Sequence, residues 1–194
     1  MKIKQLLLIL TILFASLPVF SQSASEFRVL YGKSDSRLLR QEQLSGTGSY
    51  KTIHFDEFGI RYLRQITGKL YLETGLDYLG MQLKINPAPM GIPIESRYED
   101  LNLISVPVYA HYTLGRYFFV NGGPIVDFQT TENSTDSQSG VGYSLGLGGK
   151  YELSKFSLFI NPNFKKHAVL PFQKEKYQQR STEIGIQAGL GFKL

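Results

Sequence analysis

Hydrophobic and polar positions alternate along this chain with a period of two, in blocks separated by polar or Gly- and Pro-rich segments. The clearest block is residues 140–164. In its first half Val141, Tyr143, Leu145, Leu147 and Tyr151 share one face, opposite Gly142, Ser144, Gly146, Gly148, Lys150 and Glu152. After a very short turn at Leu153, Ser154 and Lys155, the residues Phe156, Leu158, Ile160, Pro162 and Phe164 share a face opposite Ser157, Phe159, Asn161, Asn163 and Lys165. Successive side chains of a strand point to opposite faces, so the block predicts two strands, each with an aliphatic and aromatic face and a small and polar face.

The same alternation predicts six more strands, over residues 26–33, 57–66, 69–81, 101–114, 117–128 and 181–194. A short strand extension around 50–55 is the one feature expected inside the first long connection. Pro107 lies inside the fourth strand, where it removes one ladder donor, and predicts a bulge or local break. The connections alternate. Segments 34–56, 82–100, 129–139 and 166–180 read as long loops, and 65–68, 115–116 and 153–155 as tight turns. An even number of strands with long loops at one end and short turns at the other is the signature of a bacterial outer-membrane barrel. Starting the chain in the periplasm places all four long loops outside the cell. The expected fold is therefore all-β, an eight-stranded antiparallel up-and-down transmembrane β-barrel formed by residues 22–194.

Alternation alone does not separate a membrane barrel from a soluble, lipocalin-like one that turns its apolar face inward to hold an apolar ligand. The other face decides. A water-exposed strand face should be dense in Lys, Glu, Thr and Gln. Here it is dominated by Gly and Ser with single charges spaced along it. Glycine weakens an exposed strand, but the narrow interior of an eight-stranded barrel has room for few large side chains. The reading is lipid outside and polar filling inside, which leaves no open channel.

On this reading Arg28, Arg61, Glu73, Asp77, His111, Asn121, Asp127, Lys150, Glu152, Lys165 and Glu183 point into the lumen. Counting from the tight turns puts Arg61, Glu73 and His111 at nearly one height on neighbouring strands. They predict a buried polar cluster, a carboxylate between two cationic donors, with Asp77, Asn121 and Lys150 as further lumen members. On the outward faces Tyr62, Tyr112, Phe118, Tyr151, Phe156 and Phe192 fall toward the turn ends, and Tyr31, Phe58, Tyr78, Phe128 and Phe164 toward the loop ends. These are the two aromatic belts a membrane barrel needs.

Composition changes the picture at three points. Lys2 and Lys4 precede an apolar run over residues 6–20, which predicts a secretory signal peptide over 1–21, with a cut after Ala24 as the alternative. The run is short for a membrane-spanning helix of roughly 20 residues. The chain has no cysteine, so disulfides, thiolate metal sites and a cysteine nucleophile are excluded. The formal charge of +5 includes those two lysines, so the mature domain is only mildly basic, too little to argue for nucleic acid.

Candidate chemistry is sparse. His54, His111 and His167 are the only histidines. His111 could combine with Glu73 and Ser105 as in a lipid-modifying barrel enzyme, but Ser105 lies six residues along the same strand, about 20 Å by strand rise, and no hydrogen bond spans that. His54 and His167 read as loop residues without metal-ligand spacing. Gly146 to Lys150 lacks the first glycine and the Ser or Thr of a phosphate loop. Asn133-Ser134-Thr135 matches a glycosylation triplet that carries no weight in a bacterial chain. Lys165, Lys166, Lys174, Lys176 and Arg180, with His167, make the fourth loop basic, and a solvated loop or an anion site for lipopolysaccharide phosphates both fit. No cofactor is expected.

The segments ISVPVYAHYTLG, YFFVNGGPIVDF and GYSLGLGGKYELSKFSLFINPNF, with a terminal IGIQAGLGFKL, resemble the small outer-membrane β-barrel domain proteins of Bacteroidetes-type bacteria, the PorT-like group. The resemblance spans nearly all of 22–194. It implies a non-enzymatic barrel that serves as an anchor or as a binding or assembly component. Its implied partners are outer-membrane lipid, lipopolysaccharide and other outer-membrane or secretion components. It carries no catalytic residues over to this chain.

Overall fold

The computed structural model describes residues 24–40, 49–86, 96–131, 137–173 and 179–194. The expected signal segment lies outside them. Eight strands follow in order: β1 Ser25–Arg40, β2 Ser49–Thr67, β3 Leu70–Asn86, β4 Arg97–Leu114, β5 Phe118–Gln129, β6 Gly140–Leu153, β7 Phe156–Pro171 and β8 Gln179–Lys193. Each pairs antiparallel with its sequence neighbours, and β1 pairs with β8, so the sheet closes into a barrel. The three tight turns fall where the alternation lapses. Each holds one residue at positive φ, Gly68, Gly115 and Ser154, as a tight reversal demands.

The wall is inside-out relative to a soluble barrel. Leu145, Leu147, Leu158, Ile160, Leu76 and Leu190 are exposed on its outside. More polar and charged side chains than apolar ones are buried among the described residues. Tyr62 of β2, Phe27 of β1, Phe192 of β8 and Phe156 of β7 are direct partners in successive ladders, which sets four rings side by side near the turn end. The Phe156 and Phe192 rings are 5.3 Å apart.

Inward glycines make the room. A Cβ on Gly148 would stand 2.2 Å from the Phe119 ring, and one on Gly191 would overlap Glu26 and Ser157. Close-packed interiors admit no such overlap, so large inward side chains lie over the glycines of the next strand.

Pro107 does not break β4. The ladders thin beside it instead, with no direct partners recorded for Gly75 and Leu76 on the β3 side or for Val108 and Tyr109 on the β5 side. The Thr74 hydroxyl donates to the Pro107 carbonyl at 2.8 Å, a side chain standing in where the ladder is interrupted.

The strands run further than the sequence predicts. β1 continues to Arg40 and β2 begins at Ser49, so most of the expected first loop is sheet. β3 has 17 residues, ~55 Å along the strand at ~3.3 Å per residue. Tilted by about 45°, that spans ~40 Å, well beyond an apolar band of about 25 Å. The surplus lies at the loop end, and there the two faces exchange polarity without a change of phase. On β3 the outward positions pass from Leu76 and Tyr78 to Gln82 and Lys84, while the inward ones pass from Glu73 and Asp77 to Leu79, Met81 and Leu83. With Phe55, Leu101 and Leu103 these leucines form an apolar cluster inside the upper barrel. Here too the barrel divides. Beyond the Lys33–Asp56 pair, β1 continues against β8 and β2 against β3.

Candidate functional site in the barrel lumen

The lumen has three storeys. At the turn end Leu30, Phe119 and Phe159 form an apolar floor. The Arg28 guanidinium lies 4.7 Å from the Phe159 ring centre and 5.6 Å from that of Phe119. Its Nε donates to Glu26 at 2.9 Å, and the Ser157 hydroxyl donates to the same carboxylate. The apolar cluster of β2 to β4 forms the ceiling. Between them is a charged middle storey.

The middle storey is organised on Arg61. Its guanidinium makes a two-pronged pair with Asp77, with Nη2 to Oδ2 at 2.6 Å, and its Nε lies 3.4 Å from Glu73 Oε1. Glu73 Oε2 meets His111 Nδ1 at 2.8 Å and accepts from Asn121 Nδ2 at 3.2 Å. The His111 ring stacks on Phe119 at 4.6 Å. Two glycines permit this. A Cβ at Gly59 would come within 2.1 Å of Asp77 Oδ1, and one at Gly75 within 1.9 Å of the Ile60 carbonyl. Arg61, Glu73, Asp77, His111 and Asn121 are thus brought together. Lys150 is not. It sits lower, 3.0 Å from Glu152, which is half-exposed at the rim and also takes Lys193 at 2.5 Å.

A second network fills the upper part of the middle storey, and here the sequence reading needs correction. Among the described residues, part of the expected basic fourth loop is strand. Lys165 and Lys166 belong to β7, Arg180 belongs to β8, and Lys174 and Lys176 lie outside the described residues. Lys165 is buried, 2.7 Å from Glu57 and 3.2 Å from Glu183, so it is a lumen cation with its charge matched and no anion-binding loop residue. His167 is likewise no loop residue. Its Nδ1 lies 2.9 Å from Asp127 Oδ2 and its Nε2 3.5 Å from Glu183. It continues the inward parity of Asn161, Asn163 and Lys165 along β7. The β6–β7 register shifts between Val141 and Tyr143, Ala168 takes a positive φ, and His167 and Ala168 both turn inward. Three β7 residues, His167, Ala168 and Val169, there stand opposite the single Gly142, so the irregularity holds two extra residues and the inward parity of His167 is kept. His54 is exposed on the outer wall of β2.

These groups do not assemble into a hydrolytic triad. The Ser105 hydroxyl donates to Asp127 Oδ1 at 2.5 Å, so serine and His167 meet the same carboxylate from two sides. A nucleophile needs its hydroxyl on the imidazole. What the arrangement does is satisfy buried charge: carboxylates on β2, β3, β5 and β8 meet cations on β2 and β7 and the ring nitrogens of two histidines, tying the wall together across its centre.

No protein-family model and no curated protein matches the chain. Among the solved structures that match, two show the shared architecture. One is the outer membrane protein OprG from Pseudomonas aeruginosa, 10% identical, with 89% of this chain and 96% of that one covered and a TM-score of 0.56. The other is the outer membrane protein AlkL, determined in DMPC lipid bilayers, 10% identical, with 89% and 90% covered and a TM-score of 0.59. At such identity the likeness is one of fold and does not reach the PorT-like group. The chain has the closed antiparallel barrel fold of outer-membrane proteins.

Proposed function

We propose that this chain is a non-enzymatic outer-membrane protein, its barrel an anchor and its projecting loop end a surface for binding or assembly. One observation carries the reading: the exchange of polarity along a single strand. Below Tyr78, β3 presents leucine outward and carboxylates inward; above it, Gln82 and Lys84 face outward and Leu79, Met81 and Leu83 inward. A wall surrounded throughout by water, or throughout by lipid, has no reason to exchange faces partway. A wall that leaves the bilayer does. The chain starts in the periplasm on this reading, because the projecting ends are the long-loop ends. The lumen charges are filling. Partners would be outer-membrane lipid, lipopolysaccharide and other outer-membrane or secretion components, as the PorT-like resemblance suggests. Cell fractionation with heat-modifiable gel mobility tests the location, and a detergent-free soluble protein would overturn it. Affinity capture from solubilised outer membrane, with the loop end exchanged for short turns as control, tests the assembly role.

A further inference from the structure

The outer wall is interrupted at the level where the faces exchange. A groove of about 310 Å³ opens there, across β2, β3 and β4 and the Tyr31 side of β1. Gly80 makes it. Along β3 the outward positions are Leu76, Tyr78, then no side chain at 80, then Gln82. A Cβ at Gly80 would meet only Asn102 Oδ1 at 3.5 Å and Tyr78 Cε1 at 3.8 Å, so glycine here is not forced by crowding. In this it differs from the inward glycines of the lumen.

The lining has two halves. On the membrane side stand the rings of Tyr31, Phe58 and Tyr78, each about half exposed. On the loop side stand Asp56, Asp100 and Asn102. The polar groups are positioned rather than loose: Tyr31 donates to Asp56 at 2.5 Å, and Gln82 Nε2 donates to Asp100 at 3.2 Å. Lys33 reaches Asp56 at 3.8 Å from an exposed position.

We propose that this groove seats the sugar headgroup of a glycolipid in the outer leaflet. The inference rests on the membrane reading of the wall and deepens it. Aromatic faces pack against the C–H face of a pyranose ring, while carboxylate and amide oxygens accept from its hydroxyls. The volume is at the small end for ligand sites, suited to a headgroup rather than a whole lipid. The source is a lipid because the aromatic half continues downward into the exposed aliphatic wall of Ile60, Leu76 and Ile104, along which acyl chains lie.

The test uses the purified chain, isotopically labelled, in dodecylphosphocholine micelles, titrated with dodecyl maltoside while the amide resonances of Gly80 and Asn102 are followed. The expected result is a saturable shift confined to the groove, weakened at least tenfold in Gly80→Leu, which fills the notch from outside. Asp100→Ala is the second variant, with the same expected loss, should the first not fold. Free maltose should act at least tenfold more weakly than the alkyl glycoside. Equal shifts in the folded variants, an equal response to free maltose, or unsaturable shifts scattered along both aromatic belts would each overturn the assignment. A chain that does not enter micelles fails the membrane reading itself, whereas a folded micellar barrel indifferent to the sugar overturns the groove alone.

Discussion

Arg61 is the place to test whether the lumen is held together by its charges. Arg61→Met keeps most of the side-chain volume and removes the guanidinium. Asp77 then loses both prongs of its pair, Glu73 loses one of three partners, and the Tyr109 ring loses a cation 5.6 Å from its centre. Asp77 is 2% exposed, so its carboxylate cannot turn to bulk water. Breaking a buried pair from one side costs about 3–5 kcal/mol, most of it the uncompensated charge left behind. Glu73 keeps His111 and Asn121, so the expected value is toward the lower end, about 3 kcal/mol. Replacing both members by apolar residues removes the stranded charge, so Arg61→Met with Asp77→Leu should recover most of the loss, to within about 1 kcal/mol of wild type. The assay is urea unfolding from lipid vesicles, with the folded fraction read by heat-modifiable gel mobility. A single variant within about 0.5 kcal/mol of wild type, or a double variant as unstable as the single one, would refute the reasoning. The first outcome would mean that water enters the lumen and screens the pair.

Lys165→Met should cost about 3 kcal/mol in the same assay, because it removes the cation shared by Glu57 and Glu183 and leaves them only Gln187 and His167, while Lys166→Met, on the neighbouring outward position, should stay within about 0.5 kcal/mol. Gly59→Ala should destabilise by about 1–3 kcal/mol by driving a methyl into the Asp77 carboxylate, whereas Gly80→Ala, with only ordinary contacts to meet, should be close to neutral. The chain contains no tryptophan, so a single one can report depth: Leu145→Trp should be quenched by lipids brominated on their acyl chains and Leu83→Trp should not, and equal quenching would contradict the assignment of faces.

Much of the wall was legible because its information is local. Leu145, Leu147, Leu158 and Ile160 are outward on the alternation alone, and the structure exposes all four. Arg61, Glu73 and His111 could be placed at one height because the tight turn at Gly68 joins β2 to β3 and the one at Gly115 ends β4 at the same rim of the barrel, so each residue's height counts from a turn. What was not legible depended on partners far away in sequence. Lys165 looks like the first residue of a basic loop until Glu57, more than a hundred positions earlier, is seen beside it. His167 keeps the inward parity of Lys165, but its partner Asp127 lies 40 positions earlier in the chain. The groove needed β2, β3 and β4 side by side, and the one signal for it in the chain was an outward glycine at position 80.

The upper barrel was missed for a different reason, and it bears on what the fold is for. A period-two pattern reports that side chains alternate; it does not report which side is wet. In β3 the alternation passes through Tyr78 unbroken from Leu70 to Ile85 while the apolar residues move to the other parity, yet the strand was expected to stop at Met81, because Pro87, Pro89 and Pro93 made the segment from Gln82 to Asp100 read as a loop. The same strand therefore obeys two solvents in succession. In the lower part hydrocarbon takes the aliphatic side chains and the lumen takes the charges, which must be paired because the lumen gives them little water. In the upper part water takes Gln82 and Lys84, and the interior takes Leu79, Met81 and Leu83. Anchoring alone would be served by strands that end at the belt. On the function proposed above, some 30 residues of additional sheet in β1 to β4, carrying their own apolar core, would hold the shape of a surface outside the bilayer.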